Sequence, residues 1–406
     1  MNSASDPKTN SPTTDAAKSE DAAALAGATG VLTVDLDAIV SNWRKLDSQA
    51  VPAECAAVVK ADAYGCGIVP VTRALSKAGC KTFFVASLEE ARAARKASLS
   101  ATIYVLDGFF PGSGQSYAQI GCRPVIGDAT ELAEWDAFRR DSGWRGPAAI
   151  HIDTGMNRLG FAVPEAQALL PRIRDGNHGI ALVISHLVSA EVLGDPVNGR
   201  QVAAFREIAS LFSGVPASLS NSSGIFLGSQ FHFDMVRPGA ALYGVNPTPE
   251  ADTPMQPVVN LKVRVAQIRH VERGEAVGYG GTWTARRPTR LAIVTAGYAD
   301  GYFRAAGGVD NVRSAEAMVA GKRCPIAGRI SMDMMAIDIT DVPPTAIRRG
   351  GMVTLIGEGI SVDELAHHFG TIGYEVLTSL GKRYARIYKG GAGSMEAAPE
   401  PPAVPG

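Results

Sequence analysis

The sequence predicts a (β/α)8 barrel followed by a smaller all-β domain. Three observations carry that prediction. Short apolar runs alternate with longer amphipathic stretches between residues 55 and 237. Several chemically able residues stand just after those runs. Beyond Gly244 the texture changes to short β-rich segments separated by Gly and Pro turns. With 406 residues, the chain is long enough for two or three domains with sizeable cores.

The apolar runs are Cys55–Val59, Thr82–Ala86, Thr102–Leu106, Pro124–Ile126, Ala148–Ile152, Ile180–Ile184, Ser218–Ser220 and Phe233–Val236. Between them, Leu88–Ala97, Pro164–Ile173 and Val202–Leu211 place apolar residues at three- and four-residue spacing, as helices do. Strand–helix alternation points to a parallel sheet, and eight units point to a closed barrel. Pro124–Ile126 and Ser218–Ser220 are the weakest runs and leave a doubly wound sheet open. Lys60, His186, Asn221, Ser222 and Arg237 each end a run, and Arg158 follows the fifth in a loop. In a barrel all of them gather on the C-terminal face, where such folds place their chemistry.

Pro247, Pro249, Pro254 and Pro257 mark a linker. After it come Val258–Ile268, Arg290–Thr295, Met318–Val319, Met335–Ile339 and Met352–Ile356, read as strands of the second domain. Val31–Asp35 is strand-like and fits either domain. The expected division is a disordered tail over 1–29, the barrel over 30–250, the β-domain over 251–389 and a second disordered tail over 390–406. Both tails are poor in residues that could pack, and the acidic flank of Ala22–Ala28 is wrong for a signal peptide.

Composition removes whole classes of function. Lys+Arg is 39 and Asp+Glu 40, a net charge of -1, so no basic field collects nucleic acid or anionic lipid. No apolar run approaches the roughly 18–20 residues that span a bilayer. The aromatic share of 7% offers no stacking platform for single strands. The five cysteines are scattered and form no C-x-x-C pair, which speaks against a disulfide framework or cysteine zinc site and for a reducing cytoplasm.

Lys60 closes an apolar strand in Ala57-Val58-Val59-Lys60-Ala61-Asp62-Ala63-Tyr64-Gly65. A lysine there either snorkels to solvent or is a partly desolvated amine of lowered pKa, suited to condensation with an aldehyde cofactor. The segment from Val58 to Gly65 resembles the cofactor-lysine motif of bacterial alanine racemases. So do the segments Asp153-Thr154-Gly155-Met156-Asn157-Arg158-Leu159-Gly160, Arg237-Pro238-Gly239-Ala240-Ala241-Leu242-Tyr243-Gly244 and Val277-Gly278-Tyr279-Gly280 resemble further motifs of that family. Gly297–Tyr302, Gly328–Asp333 and Tyr374–Leu377 extend the resemblance, in family order, from about Val31 to Tyr388.

The resemblance implies a pyridoxal-phosphate enzyme that interconverts L- and D-alanine, supplying D-alanine as a peptidoglycan precursor or consuming it. Lys60 would hold the cofactor covalently and act as one base, with Tyr279 as the other. Two bases are required because racemisation removes the α-proton from one face and returns one to the opposite face. Arg237 would face the pyridine nitrogen and, unable to give up its proton, keep that nitrogen unprotonated. Tyr64, Ser222, Tyr374 and the backbone of Gly239 and Ala240 would cup the phosphate, and His186 would lie beside the ring. Arg158 and the backbone of Met332 would bind the substrate carboxylate, and Tyr298 would stand at the entrance. No metal is implied. The family further implies a homodimer whose partner β-domain brings Tyr279 and Met332 to each barrel, with the linker letting it reach across.

Two positions depart from the family pattern. His151 stands where the family often has a carboxylated lysine that anchors the arginine. A neutral His151, or a bound anion near His151 and Arg158, is expected instead, and with it independence from carbon dioxide. Gly373 stands where the family commonly has Asn and is expected to leave more room near the site. Three other readings compete. A broad-specificity amino-acid racemase shares the fold. A basic-amino-acid decarboxylase lacks the Val-Gly-Tyr-Gly and Arg-Pro-Gly arrangements. A non-catalytic pyridoxal-phosphate-binding protein lacks the β-domain with Tyr279.

Overall fold

The structure, a computed structural model, describes residues 27–174, 178–310 and 314–391. Most of the two tails expected to be disordered lies outside the described residues. Their inner edges are ordered. Ala28 and Thr29 accept hydrogen bonds from Arg264, and the Gly391 amide donates to Asp37.

Seven parallel strands follow one another in chain order, from Ala57–Val58 through Thr82–Val85, Thr102–Val105, Arg123–Ile126, Ala148–His151 and Ile180–Ile184 to Ala217–Ser218. The eighth, Met235–Val236, closes the ring. It pairs in parallel with Glu54–Cys55, the start of the first strand, and the backbone bonds continue as Ala56 N to Val236 O and Val58 N to Pro238 O. On its other side Asp234 N reaches Ala217 O and Arg237 N reaches Ser220 O. The sheet is therefore a closed (β/α)8 barrel, and the weak seventh run is a two-residue strand whose pairing is extended by Val183 N to Pro216 O and Ser185 N to Ser218 O. Phe83, Phe84, Ile103, Ile126, Ile150 and Val183 are fully buried in the walls.

The helices carry their own start signals. Ser87 and Asp128 cap Leu88–Ala97 and Ala129–Ser142 by accepting from the amides of Glu90 and Glu131, each cap worth about 1 kcal/mol. The stretch Pro164–Ile173 is two short helices, Val163–Gln167 and Leu170–Arg174. Pro171 sits early in the second, where its missing amide costs nothing.

The C-terminal domain is built on an eight-stranded, mainly antiparallel sheet. Val259–Val271 is its spine and pairs with Gly30–Asp35, Met352–Ile356 and Thr289–Val294. The N-terminal strand thus belongs to this sheet, where it also runs parallel to Ala385–Lys389. Two helices, Val362–Phe369 and Gly373–Ser379, lie within the domain, so it is not purely β. The proline-rich linker is pinned to the helix Leu36–Ala50: its Asn42 exchanges hydrogen bonds with Gln256 backbone at 2.7 and 2.9 Å.

Candidate active site

A cavity of ≈ 710 Å³ opens at the C-terminal end of the barrel strands. Lys60, Tyr64, Arg158, His186, Ser222, Arg237, Gly239, Ala240 and Tyr374 all line it, so the barrel residues singled out in the sequence do converge.

Lys60 is placed by an unusual turn. Ala61, Asp62, Ala63 and Tyr64 all have φ near +53°, one left-handed turn in non-glycine residues. Such a turn costs roughly 1–2 kcal/mol per residue and persists only where its surroundings impose it. Here Asp62 accepts from Ile68 N at 2.7 Å, Ala63 N donates to Val59 O, and Gly65 packs so closely on Leu377 that a Cβ would lie 2.4 Å from its carbonyl. The turn reverses the chain and sends Lys60 and Tyr64 into one cavity. Burial lowers the Lys60 pKa, and Arg158 lowers it further. Glu90 and Asp107 oppose that shift. The net result raises the neutral, nucleophilic fraction.

The phosphate end is an assembly of donors. Tyr64 stacks on Tyr243 at 4.7 Å, and its hydroxyl lies 2.4 Å from where a Cβ on Gly239 would stand. Position 239 must therefore be glycine. Burial pushes the Tyr64 phenol up to about 12 and raises that of Tyr374 as well, so both remain O–H donors. The expected direct role of the Gly239 amide is altered. Gly239 N and Ala241 N both donate to Ser222 Oγ, at 3.0 and 3.1 Å. With its oxygen accepting twice, the Ser222 hydroxyl proton is left to point at an anion. This cluster of hydroxyl donors beside the short helix Ala240–Tyr243 fits a phosphate monoester, and the lysine across the same cavity fits an aldehyde.

Arg237 is buried and held from behind, with Nη1 donating to Ser218 Oγ at 2.5 Å and Nη2 to Ser185 O at 2.6 Å. Burial lowers its pKa to about 10, which still leaves it charged. Burial, then Arg237, Arg158, Lys60 and His151, lowers His186 to about 3. His151 is lowered to about 4 by burial and Arg237, with Arg158 adding and Asp153 opposing. Both imidazoles are neutral at pH 7.

Arg158 is set by its loop. The Asp153 carboxylate accepts from the amides of Gly155, Met156 and Asn157 at 2.8, 2.8 and 2.9 Å. Gly160 (φ +115°) then folds the loop onto His151, where a Cβ would be 3.1 Å from the imidazole Cδ2. His151 is thus the floor under the arginine loop. A smaller cavity of ≈ 220 Å³ beside it is lined by Arg158 and His151 but also by Asp107, Asp128 and Glu131. Those carboxylates disfavour an anion in the smaller cavity, whereas the larger one sets His151 and Arg158 beside the cations Lys60 and Arg237.

The expectation at Gly373 is also corrected. A Cβ there would meet Asp363 Oδ1 at 2.7 Å and Val245 at 3.0 Å, so the space freed by the glycine is already filled and does not enlarge the cavity.

Tyr279, Tyr298 and Met332 are elsewhere. Tyr279 is 70% exposed and lines a separate cleft of ≈ 620 Å³ with Arg329 and Met334, away from Lys60. Tyr298 and Met332 are 44% and 53% exposed. Sequence reasoning missed Asp107, which lines the Lys60 cavity. It follows the third apolar run just as Lys60 follows the first, and that placement was a sufficient signal. Among the described residues no group of three or more His, Cys, Asp and Glu could hold a metal ion.

The family model described as alanine racemase, N-terminal domain, matches residues 34–247, and the one for the C-terminal domain matches residues 258–388. An alanine racemase from Methylobacterium nodulans is 53% identical over 357 residues, 88% of this chain and 95% of that protein. A catabolic alanine racemase from Mesorhizobium japonicum is 46% identical over 90% of this chain and 95% of its own length. Among solved structures, alanine racemase from Bartonella henselae with covalently bound pyridoxal phosphate superposes with a TM-score of 0.83 at 39% identity, over 89% of this chain and all of that one. The biosynthetic enzyme from Pseudomonas aeruginosa gives 0.81 at 35%, over 89% of this chain and 100% of that one.

Proposed function

The chain belongs to the alanine racemase family and interconverts L- and D-alanine with pyridoxal phosphate, and we propose that Lys60 of one chain and Tyr279 of a second chain are its two bases. The observation that carries the reading is the separation just described: within one chain the two residues line different cavities, and Tyr279 stands exposed. Met334 lines its cleft, and Tyr298 and Met332 are exposed on loops joined to Ser331 at that cleft, together an apolar face. The barrel mouth offers a matching set in Phe110, Leu159, Val188, Val192 and Leu193. Exposed apolar clusters of this kind mark interaction surfaces. A homodimer that packs one face on the other brings a tyrosine to each lysine.

Pyridoxal phosphate, when bound, supplies an electron-withdrawing ring that acidifies the α-C–H bond of the attached amino acid. Tyr64, Tyr374 and Ser222 would hold its phosphate, with Gly239 and Ala240 shaping the cup. Lys60 Nζ, partly desolvated, moves the proton on one face of the α-carbon. The Tyr279 hydroxyl does so on the other. The Arg237 guanidinium would face the cofactor's ring nitrogen and disfavour its protonation, and His186, which lines the same cavity, would pack beside the ring. An unprotonated ring would withdraw electrons only moderately, which would favour return of the proton over transamination. Arg158 and the Met332 backbone orient the substrate carboxylate, and Tyr298 narrows the entrance for a small side chain such as alanine's.

All five cysteines are buried and unpaired, which supports a reducing cytoplasm. No helix among the described residues is long and apolar enough to cross a membrane. By mirror symmetry the equilibrium between free enantiomers is unity. The cell's supply therefore decides whether D-alanine is made for peptidoglycan or consumed. The decisive test is Tyr279→Phe. Removing the hydroxyl should slow both directions about 10²–10⁴-fold and give unequal α-deuterium isotope effects for the two enantiomers. Near-normal racemisation in both directions would remove Tyr279 as a base.

A further inference from the structure

We propose that Arg383 is a positioning residue whose guanidinium fixes the two loops that carry Tyr298 and Met332 into the partner's site. The proposal rests on the shared-site reading above. Arg383 Nε donates to Asp300 Oδ1 at 2.7 Å, and its Nη1 donates to Asp333 Oδ1 at 2.7 Å. The two carboxylates differ sharply. The Asp300 side chain is 3% exposed and that of Asp333 56%. Asp300 ends the turn that begins at Gly297 and carries Tyr298, and its Oδ2 accepts from Gly297 N at 3.0 Å. Asp333 directly follows Met332.

The two loops interlock. Tyr298 N donates to Ser331 O at 3.1 Å and Ala299 N to Met332 O at 3.0 Å. Gly297 allows this contact, since a Cβ there would lie 2.3 Å from both the Ser331 and Met332 carbonyls. Because the Ser331 carbonyl is turned toward Tyr298 N, the trans peptide it shares with Met332 points the Met332 amide away from the Tyr298 loop. The segment carrying Arg383 is itself tied to the first loop, because Gly381 N donates to Asp300 O at 2.9 Å. A guanidinium is a rigid planar fork that can span two carboxylates at a fixed separation, whereas an ammonium is a point charge on a flexible stem. Arg383 therefore sets the distance between the entrance tyrosine and the backbone that meets the substrate carboxylate, without touching either.

The test uses heterodimers isolated through two different tags, each with one live lysine. In one, Arg383→Lys lies on the Lys60→Ala chain, so the altered loops face the live barrel. In the other, Arg383→Lys lies on the chain that keeps Lys60. The expected result is that KM for alanine rises about tenfold only in the first arrangement, with kcat within about threefold and cofactor absorbance unchanged in both. A rise only in the second arrangement, or in neither, overturns the proposal. The shared-site reading is judged separately by whether a Lys60→Ala/Tyr279→Ala heterodimer is active. Should Arg383→Lys fold poorly, Asp333→Asn in the same two arrangements decides. It removes the charge from the exposed half of the fork and leaves buried Asp300 paired, and the same pattern at smaller size is expected.

Discussion

The barrel mouth and the exposed face of the C-terminal domain are built on opposite plans. At the mouth, Lys60, Tyr64, Ser222 and Arg237 are enclosed, and burial shifts the pKa values of Lys60, Tyr64 and Arg237. On the face, Tyr279, Tyr298 and Met332 are exposed, and the Arg383 fork ties together the loops of the last two. The first region is a finished binding site. The second leaves its chemically able side chains exposed. The contrast teaches that one chain encloses its lysine and anion-binding hydroxyls by itself while leaving the tyrosine proposed as second base outside that enclosure.

The largest effect expected at the mouth comes from Lys60→Ala. It removes both the covalent link to the cofactor and a base, so racemisation should fall at least about 10³-fold. Borohydride should no longer fix the cofactor to the protein. Retained fixation, followed by mass spectrometry, would reassign the lysine. Asp153→Ala should have a smaller effect, raising KM about tenfold in either direction while leaving cofactor absorbance alone, because it releases three amides that hold the Arg158 loop. His151→Ala should raise KM only about threefold, since the imidazole packs beneath that loop. Stripping bicarbonate from wild type should change nothing, in line with the absence of a lysine at position 151.

Acid should separate the two regions further. Between pH 6.5 and about 4 an unfolded chain protonates His151 and His186 while the folded chain keeps them neutral. The unfolded state then binds more protons, so stability falls as pH drops through that window. The urea midpoint of wild type should decrease from pH 7 to pH 4.5, and His151→Gln should show a shallower decrease. An equal slope in the two proteins would mean that His151 is not held neutral.

Much of the barrel was legible because strand period and strand ends are local signals. Lys60, His186 and Arg237 were found as residues that end apolar runs, and the family motifs added roles. Asp107 obeys the same rule and was overlooked. Other features were hidden because they depend on distant chain. The left-handed turn after Lys60 is imposed by Leu377 and Ile68, so nothing in Ala61-Asp62-Ala63-Tyr64 announces it. Gly373 read as extra room because the sequence cannot show Asp363 and Val245 filling it. The helix Val362–Phe369 was missed amid strands, although Ser361 with Glu364 is a helix-start pattern. Gly30–Asp35 was left between the two domains because a single strand does not reveal its partners.

The central claim is that each site takes its lysine from one chain and its tyrosine from another. Its most direct measurement is activity after mixing two inactive proteins, Lys60→Ala and Tyr279→Ala, under conditions of verified subunit exchange. A statistical mixture holds about half heterodimers, and each of these keeps one site with both residues intact. The account predicts recovery of about a quarter of wild-type activity per chain, with a normal KM for alanine. No recovery despite confirmed exchange would contradict it.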